Sequence, residues 1–524
     1  MADPFYITTA IHYPNGRPHI GHAYEMIAAD AIARFQRQAG RDVLFQTGTD
    51  EHGLKMVQAA RDRGVPVREF ADEMSSYFSA MADRLEISYD RFIRTVDTDH
   101  YAASQAIWQA MADAGDLYLD RYEGWYSVRD EAFYDEAELT GEGDDRRSPQ
   151  GTPVEWTAEE TWFFRLSKYQ QPLLDLYAAN PDFIRPESRR NEVMRFVEGG
   201  LSDLSVSRTS FDWGVPVPGS PGHVMYVWVD ALTNYLTGTG YPHTGQNTGA
   251  ADSDLARFWP ADLHLIGKDI VRFHAVFWPA FLMSANIPLP KSVFGHGFLL
   301  TRGEKMSKSV GNVVDPMALA DAFGVDALRY FFLRDVSFGQ DGSYSPEAIV
   351  MRVNAELANS FGNLAQRTLS FIAKNLDGAL PAEGTVDPAD GQLIEEVIVA
   401  CAAFKAGFTD LALSHAIEAW MRGVFACNQY IDAQAPWALR KTDPERMNAV
   451  LGTLVRAIRM LAIAIIPVVP SAAGKVLDQI GADARDHAAI DDDGWYARTA
   501  ASAFRIVAPT GAFPRLELPQ DAEA

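Results

Sequence analysis

Residues 5–53 read FYITTAIHYPNGRPHIGHAYEMIAADAIARFQRQAGRDVLFQTGTDEHG, and the succession of textures inside this stretch decides the fold. The first nine residues are rich in β-branched and aromatic side chains and read as a buried strand. After Pro18 the period changes: Tyr24, Ile27, Ala28, Ala31 and Phe35 fall on one helical face, and Gly40 ends the run. "RDVLFQTGTDEHG" then returns to strand. Strand, helix and strand in so short a segment make a βαβ unit, and a parallel α/β sheet holds its ligands at the carboxyl ends of its strands. Both "YPNGRPHIGH" and "TGTDEHG" lie at such ends.

A helix N-terminus presents unpaired N–H groups and a partial positive charge, and Pro18 suits its first turn. His19 and His22 can then project toward one anion as donors, while Gly21 lets a flat base or sugar approach the backbone. The competing reading is a surface helix start with incidental histidines. A second stretch, "GEKMSKSVGN", sets Lys305, Ser307, Lys308 and Ser309 in a glycine-flanked loop. Its two ammonium groups can neutralise charge on a pyrophosphate leaving group, the alternative being a solvated loop.

Between these stretches the texture shifts. From Leu117 to Pro221 aromatics, acids and turn residues predict an inserted subdomain of short antiparallel strands. The α/β pattern resumes with "HVMYVWVDALTNYL", "LHLIGKDIVRFHAVFWPAFL" and "SVFGHGFLL". From about Ser345 onward helical periodicity dominates and predicts a bundle. The division expected is 1–116 and 222–300 for the two halves of a catalytic α/β domain, 117–221 for the insertion, 301–344 for the lysine loop and a connecting region, and 345–524 for the bundle and tail.

A chain of 524 residues exceeds one ordinary core and implies about three or four domains or subdomains. The start, "MADPFYITTA", lacks a basic segment followed by an apolar one, so a cytoplasmic location is expected. "MLAIAIIPVVP", from Met460, is short and interrupted by prolines, which favours a buried helix end over a membrane span. Two cysteines, Cys401 and Cys427, exclude a disulfide framework and any four-cysteine site. The net charge of −24 argues against nonspecific binding of a polyanion but leaves room for a local basic track. Arg352, Arg367, Lys374, Arg440 and Lys441 are candidates for such a track.

The histidine stretch after the first strand and the lysine loop after the last strand of one interrupted sheet carry a resemblance. The chain is similar to class I aminoacyl-tRNA synthetases, whose HIGH and KMSKS signatures stand unaltered as residues 19–22 and 305–309. "TTAIHYPNGRPHIGHAY", "TGTDEHG", "YVWVDALTNY", "IGKDIVRFHAVFWPAFL", "NSFGNLAQR" and "APWALRK" follow the order and spacing of the methionyl-tRNA synthetase family over nearly the whole chain. The resemblance implies a Rossmann-like parallel-sheet catalytic domain with an inserted connective subdomain, followed by a helical anticodon-binding bundle. It implies L-methionine, ATP with Mg²⁺ and tRNA(Met) as the molecules bound, a ligase activity, and a monomer without membrane attachment.

By the same likeness His19, His22, Lys305 and Lys308 would be catalytic, with Gly21, Lys268, Asp269 and Ser307 completing the ATP site. Ile11, Tyr13, Trp228, Ala231, Leu232, Tyr235, Ile270 and His274 would line the methionine pocket, Asp50 would hold the α-ammonium, and Asn363, Arg367 and Trp437 would read the anticodon. The residue types suit those roles: a thioether fits apolar and aromatic walls, a carboxylate pairs with an ammonium, and an exposed Trp stacks an unpaired base. Many relatives carry zinc on Cys-x-x-Cys knuckles in the insertion. Ser127, Asp130, Arg147 and Gln150 stand at those places here, so no structural zinc is expected. His12 also departs from the pattern, and its role is open at this level. The rival readings are a class I synthetase for another amino acid, a nucleotidylyltransferase of the same fold, and a catalytically inactive RNA-binding paralogue.

Overall fold

A computed structural model describes residues 2–127, 132–134, 136–242, 255–301, 303, 313–381, 386–482 and 495–518. The opening stretch folds as its pattern requires. Strand β1 (Pro4–Thr9) is followed by helix α1 (Ile20–Gln38) and strand β2 (Asp42–Thr49), and Tyr6 pairs in parallel with Leu44. Strands β3 (Arg91–Arg94), β4 (Ile184–Arg185), β5 (Leu263–Gly267) and β6 (Val293–His296) complete a parallel sheet in the order β3-β2-β1-β5-β6-β4. Chain order reverses between β1 and β5. The crevice beyond the carboxyl ends of those two strands is therefore the ligand position of the fold.

Gly48 shows how tightly β2 and β3 approach, since a Cβ there would lie 2.0 Å from the Ile93 carbonyl oxygen. The insertion makes its own antiparallel sheet from Leu117–Ser127, Ala132–Tyr134, Glu155–Phe164 and Leu204–Ser205. It also returns one strand to the catalytic sheet, because β4 lies inside 117–221 and pairs with β6. Of the places that the resemblance marks for the knuckles, Ser127 shares a hydrogen bond with Thr152 at 2.7 Å, and Ser148, beside Arg147, shares one with the same hydroxyl at 2.8 Å. The Gln150 amide N–H donates to Ser148 Oγ and an Arg147 guanidinium N–H to the Gly151 carbonyl, while Asp130 lies outside the described residues.

Helices α2 (Val227–Thr237) and α3 (Val325–Asp335) pack on the catalytic half. The bundle contains α4 (Asn363–Asn375), α5 (Pro388–Thr409), α6 (Leu413–Gln434), α7 (Pro436–Thr442) and α8 (Pro444–Ile465). Helix α8 is long and apolar enough to cross a membrane, but 89% of its apolar window is buried inside the protein. It is the centre of the bundle, and "MLAIAII" is its buried end. Both cysteines are buried thiols in this core.

Candidate active site

The entry to α1 is closed by its own histidines. His19 is the N-cap, its Nδ1 accepting from the Gly21 N–H at 3.1 Å, while His22 Nδ1 accepts from the His19 N–H at 3.1 Å. This reciprocal arrangement is a capping box built from two imidazoles. It corrects two expectations. Pro18 lies one residue outside the cap, not in the first turn, and the first-turn N–H groups are not unpaired. Gly21 N–H is taken by His19, Ile20 N–H by the Val314 carbonyl at 3.2 Å, and His22 N–H by the His19 carbonyl. An anion at this terminus is therefore met by imidazole more than by backbone. Because each Nδ1 accepts, each neutral ring carries its proton on Nε2, the form that donates to an oxygen. The rings stack with centroids 3.8 Å apart.

Beside this cap a cavity of about 410 Å³ opens at the carboxyl ends of β1 and β5. Ile11, Tyr13, Asp50, Trp228, Ala231, Leu232, Tyr235, Ile270 and His274 all line it, as do His22 and Asp269. Residues from four distant segments thus meet around one cavity. His19, Gly21 and Lys268 lie outside the lining.

The aromatic side is closely packed. Trp228 stacks on Phe273 at 3.8 Å and 6°, and a π-helical turn, Phe273–Phe277, carries His274. His274 Nδ1 lies 3.0 Å from the Ile270 carbonyl and must donate to it, so Nε2 accepts from the Tyr235 hydroxyl at 2.6 Å. Burial depresses the His274 pKa to about 4, and the ring is neutral.

The Asp50 wall is held from several directions. Asp50 N–H donates to the His12 carbonyl at 2.9 Å. The buried Glu51 receives the Arg94 guanidinium at 2.7 and 2.6 Å, and its carbonyl accepts from the Trp213 indole at 2.6 Å. His52 Nδ1 and His100 Nε2 clasp the fully buried Asp230 of α2 at 2.6 and 2.7 Å. Burial opposes ionisation of Asp230, but the two histidines outweigh it and bring its pKa to about 2.

Sequence reasoning missed Glu25, which also lines the cavity. One of its oxygens accepts from the Ala10 N–H at 3.1 Å and the other pairs with His296 Nε2 at 2.7 Å. It ties β1, α1 and β6 together under the site. A glutamate one turn beyond the HIGH sequence was visible, but its partner 271 residues away was not.

Lys268 is engaged by both oxygens of Asp341 at 2.8 Å, which takes two of the three donors of its ammonium. Lys305, Ser307 and Lys308 lie outside the described residues.

At the far end of the bundle Arg367 and Trp437 meet, the guanidinium 5.3 Å from the ring centroid, with Arg367 also bonded to Asp432 at 2.8 Å. Asn363 is exposed one turn before Arg367, and Trp437 is 46% exposed. Trp437 sits in the first turn of α7, because Ala435 takes a left-handed φ of 43° that breaks α6 and lets Pro436 start a new helix. Arg352 is committed to Asp335 and Glu356, at 2.7 and 2.9 Å, which removes it from a basic track.

Comparison with known proteins agrees with this geometry. Residues 5–369 match the family model "tRNA synthetases class I (M)", and residues 380–517 match "Anticodon binding domain of methionyl tRNA ligase". The chain is 56% identical to a methionine–tRNA ligase of Mesorhizobium japonicum, covering 98% of both proteins, and 56% identical to one of Mycobacterium bovis, covering 99% of both. It superposes on Mycobacterium tuberculosis methionyl-tRNA synthetase in complex with methionyl-adenylate with a TM-score of 0.91 and 55% identity, over 98% of this chain and 100% of that one. With a parallel sheet that reverses at the cavity, a histidine-capped helix beside it and an anticodon-type bundle behind it, the chain belongs to the methionyl-tRNA synthetase family of class I aminoacyl-tRNA synthetases.

Proposed function

We propose that this chain activates L-methionine with ATP to methionyl-adenylate and pyrophosphate, then transfers the methionyl group to the 3′-terminal adenosine of tRNA(Met). The observation that carries the reading is the cavity that unites Asp50, the aromatic wall and His22. Methionine's α-ammonium pairs with Asp50 and its thioether lies among Trp228, Tyr235, Ile270 and His274, where sulfur meets ring edges. The carboxylate then faces the α-phosphate of Mg-ATP, the ion entering with its nucleotide. In-line attack forms the acyl–phosphate bond and expels pyrophosphate, with no covalent enzyme intermediate.

His19 and His22 donate through Nε2 to the phosphate oxygens, Lys305 and Lys308 neutralise the leaving pyrophosphate, and Gly21, Lys268, Asp269 and Ser307 complete the nucleotide site. Asn363, Arg367 and Trp437 read the anticodon loop. The protein acts in the cytoplasm as a monomer.

The test is ATP–pyrophosphate exchange by the purified chain with Mg²⁺, driven by each of the twenty amino acids in turn, without tRNA. Exchange with methionine alone supports the reading. Exchange with a different amino acid moves the substrate, and none from folded protein favours the RNA-binding alternative. At the other end, Trp437→Ala is expected to lower kcat/KM for tRNA by about 10- to 100-fold, the worth of one stacked base, with far less effect on tRNA-free exchange.

A further inference from the structure

We propose that His12 is a positioning residue whose ring forms the wall behind His22, so that the nucleotide side of the site is held in register with the Asp50 side. This rests on the assignment of His22 to the ATP phosphates. His12 follows β1, where its N–H donates to the Gly48 carbonyl and its own carbonyl accepts from Asp50 N–H, both at 2.9 Å. Any residue would supply this one-residue bridge to β2 from its main chain. The imidazole adds something else.

The ring is 6% exposed and meets His22 edge to face at 4.9 Å. It also stacks on the fully buried Phe78 at 5.6 Å and 22°, and Phe78 in turn touches His22 at 5.1 Å. His12 and Phe78 thereby close two sides of His22, and His19 stacks on it at 3.8 Å. Only His12 among these rings also belongs to the ladder that places Asp50. His12 also lines the cavity, and its Nε2 is buried with no hydrogen-bond partner among the described residues, so the packing of the ring does not depend on that nitrogen. Burial keeps the ring neutral against the pull of Glu25, so it packs against His22 without repelling it. What the position requires is a flat, uncharged ring of this size.

The test compares His12→Ala and His12→Phe in the full chain by methionine-dependent ATP–pyrophosphate exchange, with methionine binding measured separately. Removing the ring lets His22 shift, so His12→Ala is expected to lower kcat about 10- to 100-fold and raise KM for ATP. The main-chain bridge survives, so methionine affinity stays within about twofold, and His12→Phe recovers most of the loss. Combined with His22→Ala, His12→Ala is expected to add no further loss, because both act on one group. A loss of thermal stability with unchanged kcat and KM would overturn the proposal, as would failure of His12→Phe to rescue, or additive losses in the double variant. If His22→Ala alone exchanges normally, the assignment of His22 fails first and the role of His12 falls with it.

Discussion

His19 does two jobs that substitution can separate. As N-cap it satisfies Gly21, and in the proposed mechanism its imidazole presents Nε2 to the nucleotide. Asn keeps a side-chain acceptor at that position, whereas Ala removes it. His19→Asn is therefore expected to melt close to the parent yet lose exchange activity, while His19→Ala loses the same activity and about 1 kcal/mol of stability besides. Equal melting of the two variants would mean that the cap does not stabilise α1. His274 gives a second prediction. Its folded pKa of about 4 lies below the ordinary value of 6.5, so the unfolded chain takes up the proton first as pH falls. Its contribution is fully present above pH 6.5 and is lost on acidification toward pH 4, amounting to about 3 kcal/mol. Stability measured over that window is expected to fall less steeply in His274→Gln than in the parent, and parallel curves would show that another group titrates. The pocket residues were legible because they sit in short motifs of characteristic order. Glu25 and the stacking of His12 were not, since each depends on a partner brought close only by the folded sheet.

Helix α2 shows the same division one level up. Its apolar run and pocket-facing positions were legible, but its anchorage was not, because Asp230 in the sequence looks like an ordinary helical carboxylate. In the fold it has no exposure and fastens α2 to His52, two residues beyond Asp50, and to His100 on the helix Thr98–Asp113. The two walls of the proposed methionine pocket are thus joined through one buried carboxylate. Asp230→Asn removes the charge that both histidines share and loosens α2 against the Asp50 loop. The expected result is a KM for methionine raised about tenfold with KM for ATP nearly constant, since misplacement falls on the amino-acid side. A rise in KM for ATP of similar size would place the anchor's effect elsewhere. Strand β4 was illegible for a different reason: two residues, Ile184–Arg185, carry no periodicity, and only pairing with β6 makes them a strand.

Across the whole molecule, the bundle and the catalytic domain are joined at the back of α1. Arg329 of α3 pairs with Asp30 of α1 at 2.6 Å, with both side chains fully buried, and donates to the carbonyls of Pro467 and Val468 just beyond α8, each at 3.0 Å. Gln38, the last residue of α1, donates to the Ile463 carbonyl in the final turn of α8 at 2.7 Å. The last carbonyls of a helix lack partners within it, and Gln38 of α1 meets that of Ile463 in α8, while Arg329 of α3 takes those of two residues that follow the helix. Helix α8 starts two residues after α7, the helix that carries Trp437, and runs about 33 Å to this junction, while α1 continues about 28 Å to the histidine cap. Two helices in series thus connect the end of the bundle that carries Trp437 to the histidine cap beside the cavity. If they transmit engagement of the anticodon, weakening the junction should reduce charging of tRNA more than adenylate formation. Gln38→Ala removes one bond at the half-buried edge of the junction and spares the Asp30–Arg329 pair, whose rupture would cost about 3–5 kcal/mol and threaten folding. It is expected to leave tRNA-free exchange within about twofold and to lower kcat/KM for tRNA several-fold, in the range of about 0.5–2 kcal/mol reported by coupling positions. Trp437→Ala should then cost less in the Gln38→Ala background than in the parent, because part of the path it feeds is already cut. Full additivity of the two losses would show that the anticodon end acts through tRNA binding alone and that the junction serves only to hold the domains together.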